Sequence, residues 1–166
     1  YISLSNNVGG IVMISNQIHI GNHFHSGEVG HLTLHPNGKS CYCGQKGCVD
    51  PYLAATVLSS FSSGNLSDFF RLLEEKNHKA MRIWDIYLDD LALTLKNVQI
   101  LFDCTVILGG YVAEYLDKYI PELKKRAAKL NFFEKNGDYI DVCYYKTYSI
   151  AAGAALNYIS AFIDSI

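Results

Sequence analysis

The sequence predicts an α/β fold with a mixed sheet and flanking helices. The apolar segment 104–108 is followed by Gly109-Gly110 and then by a helical pattern, an order typical of a parallel strand in an α/β sheet. Residues 1–20 instead contain short strand-like segments joined by turns, which predicts antiparallel pairing. Between these two parts, residues 78–102 carry apolar side chains at the i, i+3, i+4, i+7 spacing of one long amphipathic helix.

The opening strands are short and closely spaced. Residues 1–5 alternate in polarity, and residues 6–10, with two Asn and two Gly, predict a turn. Residues 11–14 are rich in β-branched side chains and predict a second strand. Ser15-Asn16 then predicts a hairpin turn into a third strand at 18–20.

The remainder of the chain predicts helices and two further strands. Pro51 suits the first turn of a helix with Asp50 as its N-cap, and Ser67 is the predicted cap of the next helix. Pro121 marks a break or a restart within a helical pattern. The predicted helices span 51–58, 66–74, 78–102, 111–130 and 150–162, and the predicted strands span 104–108 and 139–145.

Composition excludes several classes of protein. The chain has 166 residues, enough for one domain with a real core, and its 18% of charged residues argues against intrinsic disorder. The net charge of −2 lacks the basic excess of a nucleic-acid-binding domain, so any contact with DNA is expected from a domain outside this chain. No apolar run approaches the ~20 residues of a membrane span. The first residues lack both Met and a signal-peptide pattern, which predicts a fragment of a cytoplasmic protein.

Residues 21–50 form an irregular segment rich in Gly and His, and such a segment inside a domain usually has a function or a metal. Three of the five cysteines lie at 41, 43 and 48, which suits a metal site in a reducing compartment better than a disulfide framework. With one histidine they complete the donor set of a closed tetrahedral zinc site. The predicted ligands are His31, Cys41, Cys43 and Cys48.

Alternatives to this zinc site stay open at the level of the residues. The three cysteines can be free thiols in a loop, or they can hold another soft metal. His25 and His35 lie close enough in sequence to replace His31 as the fourth ligand, and His23 with His25 can form a separate metal pair. Loop histidines are more often solvated or hydrogen-bonded than bound to a metal.

Two motifs resemble a known family. Residues 27–31 read Gly-Glu-Val-Gly-His, and residues 41–50 read Cys-Tyr-Cys-Gly-Gln-Lys-Gly-Cys-Val-Asp. This pair resembles the signature of the ROK family of repressors, open reading frames and sugar kinases, G-E-x-G-H followed by C-x-C-G-x-x-G-C-x-E. Weaker similarity extends to the family's phosphate turn at 5–10, its adenosine-side strand at 106–110 and its closing helix at 149–156.

The resemblance implies an actin-like, ribonuclease-H-like fold in which residues 1–166 are the C-terminal lobe and the N-terminal lobe is absent. It also implies a structural zinc ion, with one ring nitrogen of His31 on the metal and the other directed at a sugar hydroxyl. Glu28 and Asp50 match the family's sugar-binding acids, although the second is usually Glu. From the residues alone, Glu28 can be a surface carboxylate, and Asp50 can be the N-cap before Pro51.

The resemblance assigns nucleotide contacts less firmly. Where family kinases have a Gly-Thr-Gly-like turn, this chain has Ser5-Asn6-Asn7-Val8-Gly9-Gly10. Asn6 and Asn7 place side chains where phosphate must approach the backbone closely, whereas Gly9 and Gly10 preserve part of the turn. The acidic residue and glycines that often precede the family's last helix are also missing from 147–150. The glycines after the strand at 104–108 can simply form a tight turn. The candidate nucleotide contacts are Asn7, Gly9, Gly10, Gly109 and Gly110.

Three functions fit these features. The first is the sugar-binding and oligomerisation domain of a sugar-responsive transcriptional regulator, whose DNA-binding domain lies outside this chain. The second is the C-terminal lobe of a sugar kinase, which would use ATP and Mg²⁺, and the third is a zinc-stabilised assembly module that binds no sugar. The resemblance places the catalytic Asp in the other lobe, so we expect no catalytic residue and no kinase activity in this chain alone.

An oligomer is also expected, because family members are commonly dimers or tetramers. Tyr111, Tyr115 and Tyr119 fall on one face of the predicted helix and can lie at an interface, although such a stripe is more often buried within the fold. The expected partners are therefore a small sugar and further copies of the chain, with no membrane contact.

Overall fold

The computed structural model describes residues 1–163 and 165, and in these residues it contains six strands and six α-helices. The strands are β1 (Ile2–Leu4), β2 (Val8–Gly10), β3 (Val12–Ile14), β4 (Gln17–His19), β5 (Val106–Gly109) and β6 (Ile140–Val142). The helices are α1 (Asp50–Leu53), α2 (Ala55–Ser59), α3 (Leu66–Glu74), α4 (His78–Phe102), α5 (Ile120–Leu130) and α6 (Ser149–Ile163). Within the described residues, no helix is long and apolar enough to cross a membrane.

The central sheet is mixed, as the sequence predicts, and its strand order is β2-β1-β5-β6. β1 pairs antiparallel with β2, with Leu4 opposite Val8, and parallel with β5, with Ile2 opposite Leu108. β5 pairs parallel with β6. The carboxyl ends of β1 and β5 therefore lie side by side, which is where open α/β sheets bind ligands.

The hairpin predicted at Ser15-Asn16 is present, with both residues at positive φ, and it joins β3 and β4 in a separate two-stranded sheet. The predicted turn at 6–10 is too long. Val8 to Gly10 continue the antiparallel ladder as β2, so only residues 5–7 turn. Val8 is buried, and the absence of a side chain at Gly10 lets β2 approach the loop at Gly27 closely.

The two long helical predictions, 66–74 and 78–102, agree with α3 and α4 at both ends. Their N-caps are Asn65 and Asn77, whose side-chain oxygens accept hydrogen bonds from the backbone N–H groups of the first turn. Ser67, the predicted cap, is already inside α3 and donates its own backbone N–H to Asn65 Oδ1 at 3.1 Å.

The helix predicted over 111–130 is divided. Two 3-10 turns span Val112–Tyr115 and Asp117–Tyr119, and α5 begins at Ile120 with Pro121 in its first turn. Proline lacks a backbone N–H and is tolerated in the first turn of a helix, so α5 can begin one residue before Pro121. The predicted tyrosine stripe is correspondingly interrupted. Tyr115 stacks on Phe70 with ring centroids 4.0 Å apart, and Tyr119 packs edge-on against Trp84.

The main core forms between the sheet and α4, and Val29, Leu34 and Val49 of the loop 21–50 join the same cluster of buried residues. Leu4 and Leu108 from the sheet and Leu91 and Leu95 from α4 are fully buried in one cluster. Each buried leucine contributes roughly 1.5–3 kcal/mol relative to an exposed one. On the outer side, Arg126 of α5 donates to Asp89 Oδ1 at 2.7 Å and also pairs with Asp85, so it ties α5 to α4.

Candidate metal centre and adjoining carboxylates

The loop 21–50 is held by a few backbone contacts rather than by long strands or helices. One 3-10 turn spans Val29–His31, and isolated bridges pair Thr33 with Cys48 and Ser40 with Lys46. Leu34 N–H donates to the Gly47 carbonyl at 2.7 Å. Gly47 has φ +81°, and a Cβ there would lie 1.8 Å from the His35 carbonyl oxygen. Glycine is therefore required immediately before Cys48.

The four predicted metal ligands converge at one end of this loop. His31 Nδ1 and the sulfurs of Cys41, Cys43 and Cys48 all lie within 4.8 Å of one another. The Cys43 and Cys48 sulfurs are 3.8 Å apart, and Cys41 Sγ is 3.8 Å from His31 Nδ1. A tetrahedral site with metal–sulfur bonds of about 2.3 Å has sulfur–sulfur edges of about 3.8 Å. The spacing far exceeds a disulfide bond, so the cluster has the geometry of a metal site.

The thiols of this cluster differ in acidity. Hydrogen bonding from the backbone at Gln45 lowers the pKa of the exposed Cys43 thiol, whereas burial raises the pKa of the Cys48 thiol to about 11. Cys43 is therefore the more acidic of these two thiols. Because a ligating cysteine must be a thiolate, capture of an ion releases the proton of Cys48.

The other histidines are used differently. His35, one alternative fourth ligand, turns toward α4, where its Nε2 lies 2.6 Å from Asp90 Oδ1. Asp90 is buried, so this hydrogen bond satisfies a carboxylate that has little access to water. His25 is exposed and lies at a neighbouring cavity, and His23 is exposed as well. The ligand set that the structure brings together contains His31.

Glu28 and His31 line a common cavity of about 660 Å³. Glu28 immediately precedes the 3-10 turn that carries His31, and its side chain is exposed. The rest of the wall is largely apolar and comes from β3, the end of α4 and β5. Carboxylate and imidazole groups on one side of an apolar cavity are suited to orienting a small polar molecule.

Asp50 has a different position from Glu28. It is buried, lies outside the lining of that cavity, and its Oδ1 accepts a hydrogen bond from Val8 N–H at 2.7 Å. The prediction that Asp50 caps the helix before Pro51 is wrong. The N-cap of α1 is Val49, and Asp50 is already helical, so its side chain is directed at β2 instead of its own helix. Asp50 thereby links the metal loop to the β1–β2 turn.

The candidate nucleotide residues do not all lie at one end of the sheet. Gly109 and Gly110 are at the carboxyl end of β5, whereas Gly9 and Gly10 lie in β2, opposite Ser3 and Ile2 of β1. Asn7 is exposed in the β1–β2 turn. Gly110, with φ +84°, leaves room for the Ser5 hydroxyl, which a Cβ would approach to 2.6 Å. A Cβ on Gly109 would overlap the Tyr1 ring, and one on Gly10 would lie 2.6 Å from the Gly27 carbonyl oxygen. Packing therefore accounts for three of the four glycines.

Gly9 differs, because nothing lies within 4 Å of a Cβ built there. Its backbone is open to an approaching group. For Gly9 and Asn7, unlike the other three candidates, packing does not explain the type of residue at the position. Nucleotide contact by the five residues remains a prediction.

Sequence reasoning missed two contacts of this region. Tyr42 Oη lies 3.1 Å from His31 Nε2, and the His35–Asp90 hydrogen bond spans 55 residues of sequence. The only sequence signal for Tyr42 is its position between two ligating cysteines. No local pattern pairs His35 with a carboxylate in the middle of α4.

Comparisons with known proteins agree on one family. The family model described as "ROK family" matches residues 1–156. An N-acetylmannosamine kinase of Vibrio vulnificus (strain YJ016) is 28% identical over 118 residues, which cover 68% of this chain and 40% of that protein. The chain thus spans less than half of the length of this curated relative.

Solved structures show the same fold. A ROK family protein from Streptococcus pneumoniae TIGR4, in complex with sucrose, matches with a TM-score of 0.76 and 20% identity over 98% of this chain and 58% of its own. A ROK family transcriptional regulator, a homologue of the E. coli MLC protein, matches with a TM-score of 0.67 and 18% identity over 85% of this chain and 40% of its own. At these identities the likeness establishes the fold, and both kinase and regulator relatives share it.

Proposed function

The chain belongs to the ROK family, whose fold is that of the actin-like ATPases, and on this premise we propose that it is the sugar-binding and oligomerisation domain of a sugar-responsive transcriptional regulator. One observation carries the sugar-binding part of this proposal: Glu28 and His31 line one cavity, and His31 also belongs to a four-donor metal cluster. The chain would be the C-terminal lobe, and the second lobe would close the cavity.

The ion that fits this cluster is zinc. Three thiolates and one imidazole are the usual donors of a structural zinc site, and all four positions are protein ligands, which leaves no open position for chemistry on the metal. Zinc on Nδ1 leaves the hydrogen of His31 on Nε2 and fixes the ring orientation. His31 can then donate a hydrogen bond to a sugar hydroxyl, while the two oxygens of Glu28 accept from neighbouring hydroxyls.

Asp50 would be the second acidic contact. Its Oδ1 accepts from Val8 N–H and its side chain is buried outside the cavity lining, so a sugar hydroxyl would have to reach the second oxygen from beyond the cavity that Glu28 lines. Its side chain is one methylene shorter than the Glu usual in the family, which draws the carboxylate back toward β2. A sugar bound by Asp50 would thereby be coupled to the β1–β2 turn, and such a coupling can bias the closure of two lobes.

The β1–β2 turn at residues 5–7 favours a regulator over a kinase. Ser5, Asn6 and Asn7 carry side chains where phosphate would need to approach the backbone, and the Ser5 hydroxyl fills the space beside Gly110. DNA would be contacted through a domain outside residues 1–166. The catalytic Asp of ROK kinases is expected in the other lobe, so we infer no phosphoryl transfer by this chain alone.

A kinase lobe is the second candidate, and the curated relative favours it. The 28% identity to an N-acetylmannosamine kinase makes that amino sugar a candidate substrate, with ATP and Mg²⁺ as cofactors. The open backbone at Gly9 also permits a phosphate to approach. The zinc cluster and the Glu28–His31 cavity are expected in both functions, so they do not discriminate between them.

We propose a homodimer or a homotetramer as the functional assembly. Apolar side chains are exposed on the β3–β4 hairpin, where Met13 is 61% and Ile18 is 60% exposed, and surfaces of this kind commonly mediate association. Light scattering on the full-length protein measures the state directly, and a monomer at micromolar concentration would contradict this part of the proposal.

Removal of the Glu28 carboxylate is expected to weaken sugar binding by 10-fold to 100-fold, because hydrogen bonds to a charged group contribute about 1.5–3 kcal/mol. Calorimetric titration of the zinc-loaded full-length protein with hexoses, amino sugars and N-acetyl amino sugars measures this effect in Glu28→Gln. Glu75→Gln is the matched control, because Glu75 is an exposed carboxylate on α3 that pairs with Arg71. Equal affinities in the two variants would contradict a sugar contact at Glu28, and the absence of binding to the entire panel would favour the assembly module.

ADP release distinguishes the regulator from the kinase. With Mg²⁺-ATP and the same sugars, we expect no turnover by the full-length zinc-loaded protein, because the altered turn at residues 5–7 does not cradle phosphate. Sugar-dependent turnover that is lost in Glu28→Ala would overturn the regulator function and make the chain a kinase lobe.

A further inference from the structure

Tyr42 is the side chain that covers the outer nitrogen of His31. It lies between the ligands Cys41 and Cys43, and its hydroxyl is 3.1 Å from His31 Nε2. The two rings pack edge to face, with centroids 5.2 Å apart and planes 71° apart. Tyr42 is nevertheless 68% exposed, so its side chain is held mainly from the side that faces His31.

The phenol of Tyr42 faces the outer nitrogen of His31 and carries its own hydrogen, as tyrosine does at neutral pH. Its oxygen accepts from His31 Nε2–H when the metal occupies Nδ1, as a sugar hydroxyl would.

We propose that Tyr42 is a displaceable occupant of the sugar site, whose phenol takes the place of a sugar hydroxyl on His31 until a ligand replaces it. This proposal rests on the proposed function, because His31, which Tyr42 contacts, lines the cavity proposed to bind sugar. No backbone movement is needed, since an exposed tyrosine can rotate about its χ1 angle into water.

Displacement also imposes selectivity. A sugar that presents a hydroxyl to His31 Nε2 restores the hydrogen bond that Tyr42 gives up. A sugar without that hydroxyl leaves the imidazole N–H unpaired, and an unmade hydrogen bond at a desolvated site is costly. Tyr42 therefore lowers the affinity of the site for sugars that lack this hydroxyl, although Tyr42 does not itself contact the sugar.

The Tyr42→Phe variant is expected to bind sugar about three- to tenfold more tightly than the unsubstituted protein. In the unsubstituted protein, sugar must first break the hydrogen bond between Tyr42 and His31, which contributes about 1 kcal/mol, and the variant lacks that bond. The probes are N-acetylmannosamine and D-glucose, titrated calorimetrically into the zinc-loaded full-length protein. Tyr144→Phe is the matched control, since Tyr144 is 90% exposed and, unlike Tyr42, has no hydrogen bond to His31 among the described residues. Its affinity is expected to equal that of the unsubstituted protein.

The contact itself has a readout that needs no sugar. In the zinc-loaded, sugar-free protein, the ¹⁵N and ¹H NMR signals of His31 Nε2–H are expected to shift in Tyr42→Phe and to stay unchanged in Tyr144→Phe, with equal zinc content in all three proteins. Addition of sugar is expected to abolish the difference between Tyr42→Phe and the unsubstituted protein.

The outcomes separate the two proposals. Weaker binding by Tyr42→Phe would make Tyr42 a direct sugar ligand and overturn its role as an occupant, and so would unchanged affinity or an unchanged His31 signal. If neither probe nor any other sugar of the panel binds the unsubstituted protein, the proposed function itself fails, and the role of Tyr42 in it fails too.

Discussion

Removal of the metal is expected to unfold residues 21–50 locally and to leave the sheet and α4 folded. The loop contains isolated bridges at Thr33–Cys48 and Ser40–Lys46 and contributes three residues to the core, whereas the sheet and the helices contribute most of the others. Zinc-finger peptides gain an apparent ~10–16 kcal/mol of folding free energy from their ion, which is an upper guide for a loop attached to a folded domain. The loop should therefore lose nearly all of its protection against hydrogen exchange.

Hydrogen exchange followed by mass spectrometry, before and after treatment of the full-length protein with a strong chelator, measures this effect. Cys48→Ser is expected to reproduce the effect of the chelator, because Cys48 is a buried member of the cluster. Cys104→Ser is the matched control, since Cys104 is an exposed free thiol outside the cluster. Unchanged exchange in residues 21–50 after verified loss of the metal would show that the loop is stable on its own.

The local unfolding would also test the coupling between metal and cavity. His31 belongs to the metal cluster and lines the cavity, and Asp50 holds Val8 of β2 from the end of the same loop. A loop that unfolds therefore removes the proposed sugar contacts and releases the β1–β2 turn together. Sugar binding should be lost with the metal even though the core remains folded.

The metal cluster could be predicted from the sequence because its spacing is local. Four ligands within 18 residues, separated by glycines, leave few other arrangements for the backbone. The helices α3 and α4 could also be predicted from a local pattern. Over their 9 and 25 residues the apolar side chains recur at helical spacing, and this repeated spacing is a stronger signal than the secondary-structure preference of any single residue.

Short elements were predicted less accurately. β2 has three residues, two of them glycine, and glycine propensity favours a turn over a strand. Only pairing with β1 makes this segment extended, and that pairing is tertiary. In the same way, an acidic residue before proline has the pattern of an N-cap, and the long-range hydrogen bond from Val8 to Asp50 gives it another role.

The features that the sequence did not predict are contacts between residues distant in the chain. The His35–Asp90 pair joins the loop to α4, and Tyr42 meets His31 only because the metal loop closes on itself. No periodicity or motif encodes either contact. The sequence therefore identified the donors of the candidate site, whereas the hydrogen bonds that orient and cover them required the fold.

Gly47→Ala is expected to abolish stoichiometric metal binding, whereas Gly44→Ala is expected to retain it. Both glycines have positive φ, +81° and +87° respectively, so alanine pays the same left-handed strain of about 1–2 kcal/mol at either position. The surroundings differ. A Cβ at Gly44 meets nothing within 4 Å, whereas a Cβ at Gly47 would lie 1.8 Å from the His35 carbonyl oxygen.

The collision at Gly47 cannot be relieved by a side-chain rotation, because the opposing atom belongs to the backbone. Gly47 is also fixed by hydrogen bonds from Leu34 N–H to its carbonyl and from its own N–H to Lys39. Movement of this segment would carry the neighbouring ligand Cys48 out of the cluster, and a site that has lost one of four ligands binds far more weakly. Competition with a chromophoric chelator measures metal affinity in both variants. Equal affinities would mean that the loop tolerates a side chain at Gly47, and that the close approach to His35 is not needed to form the metal site.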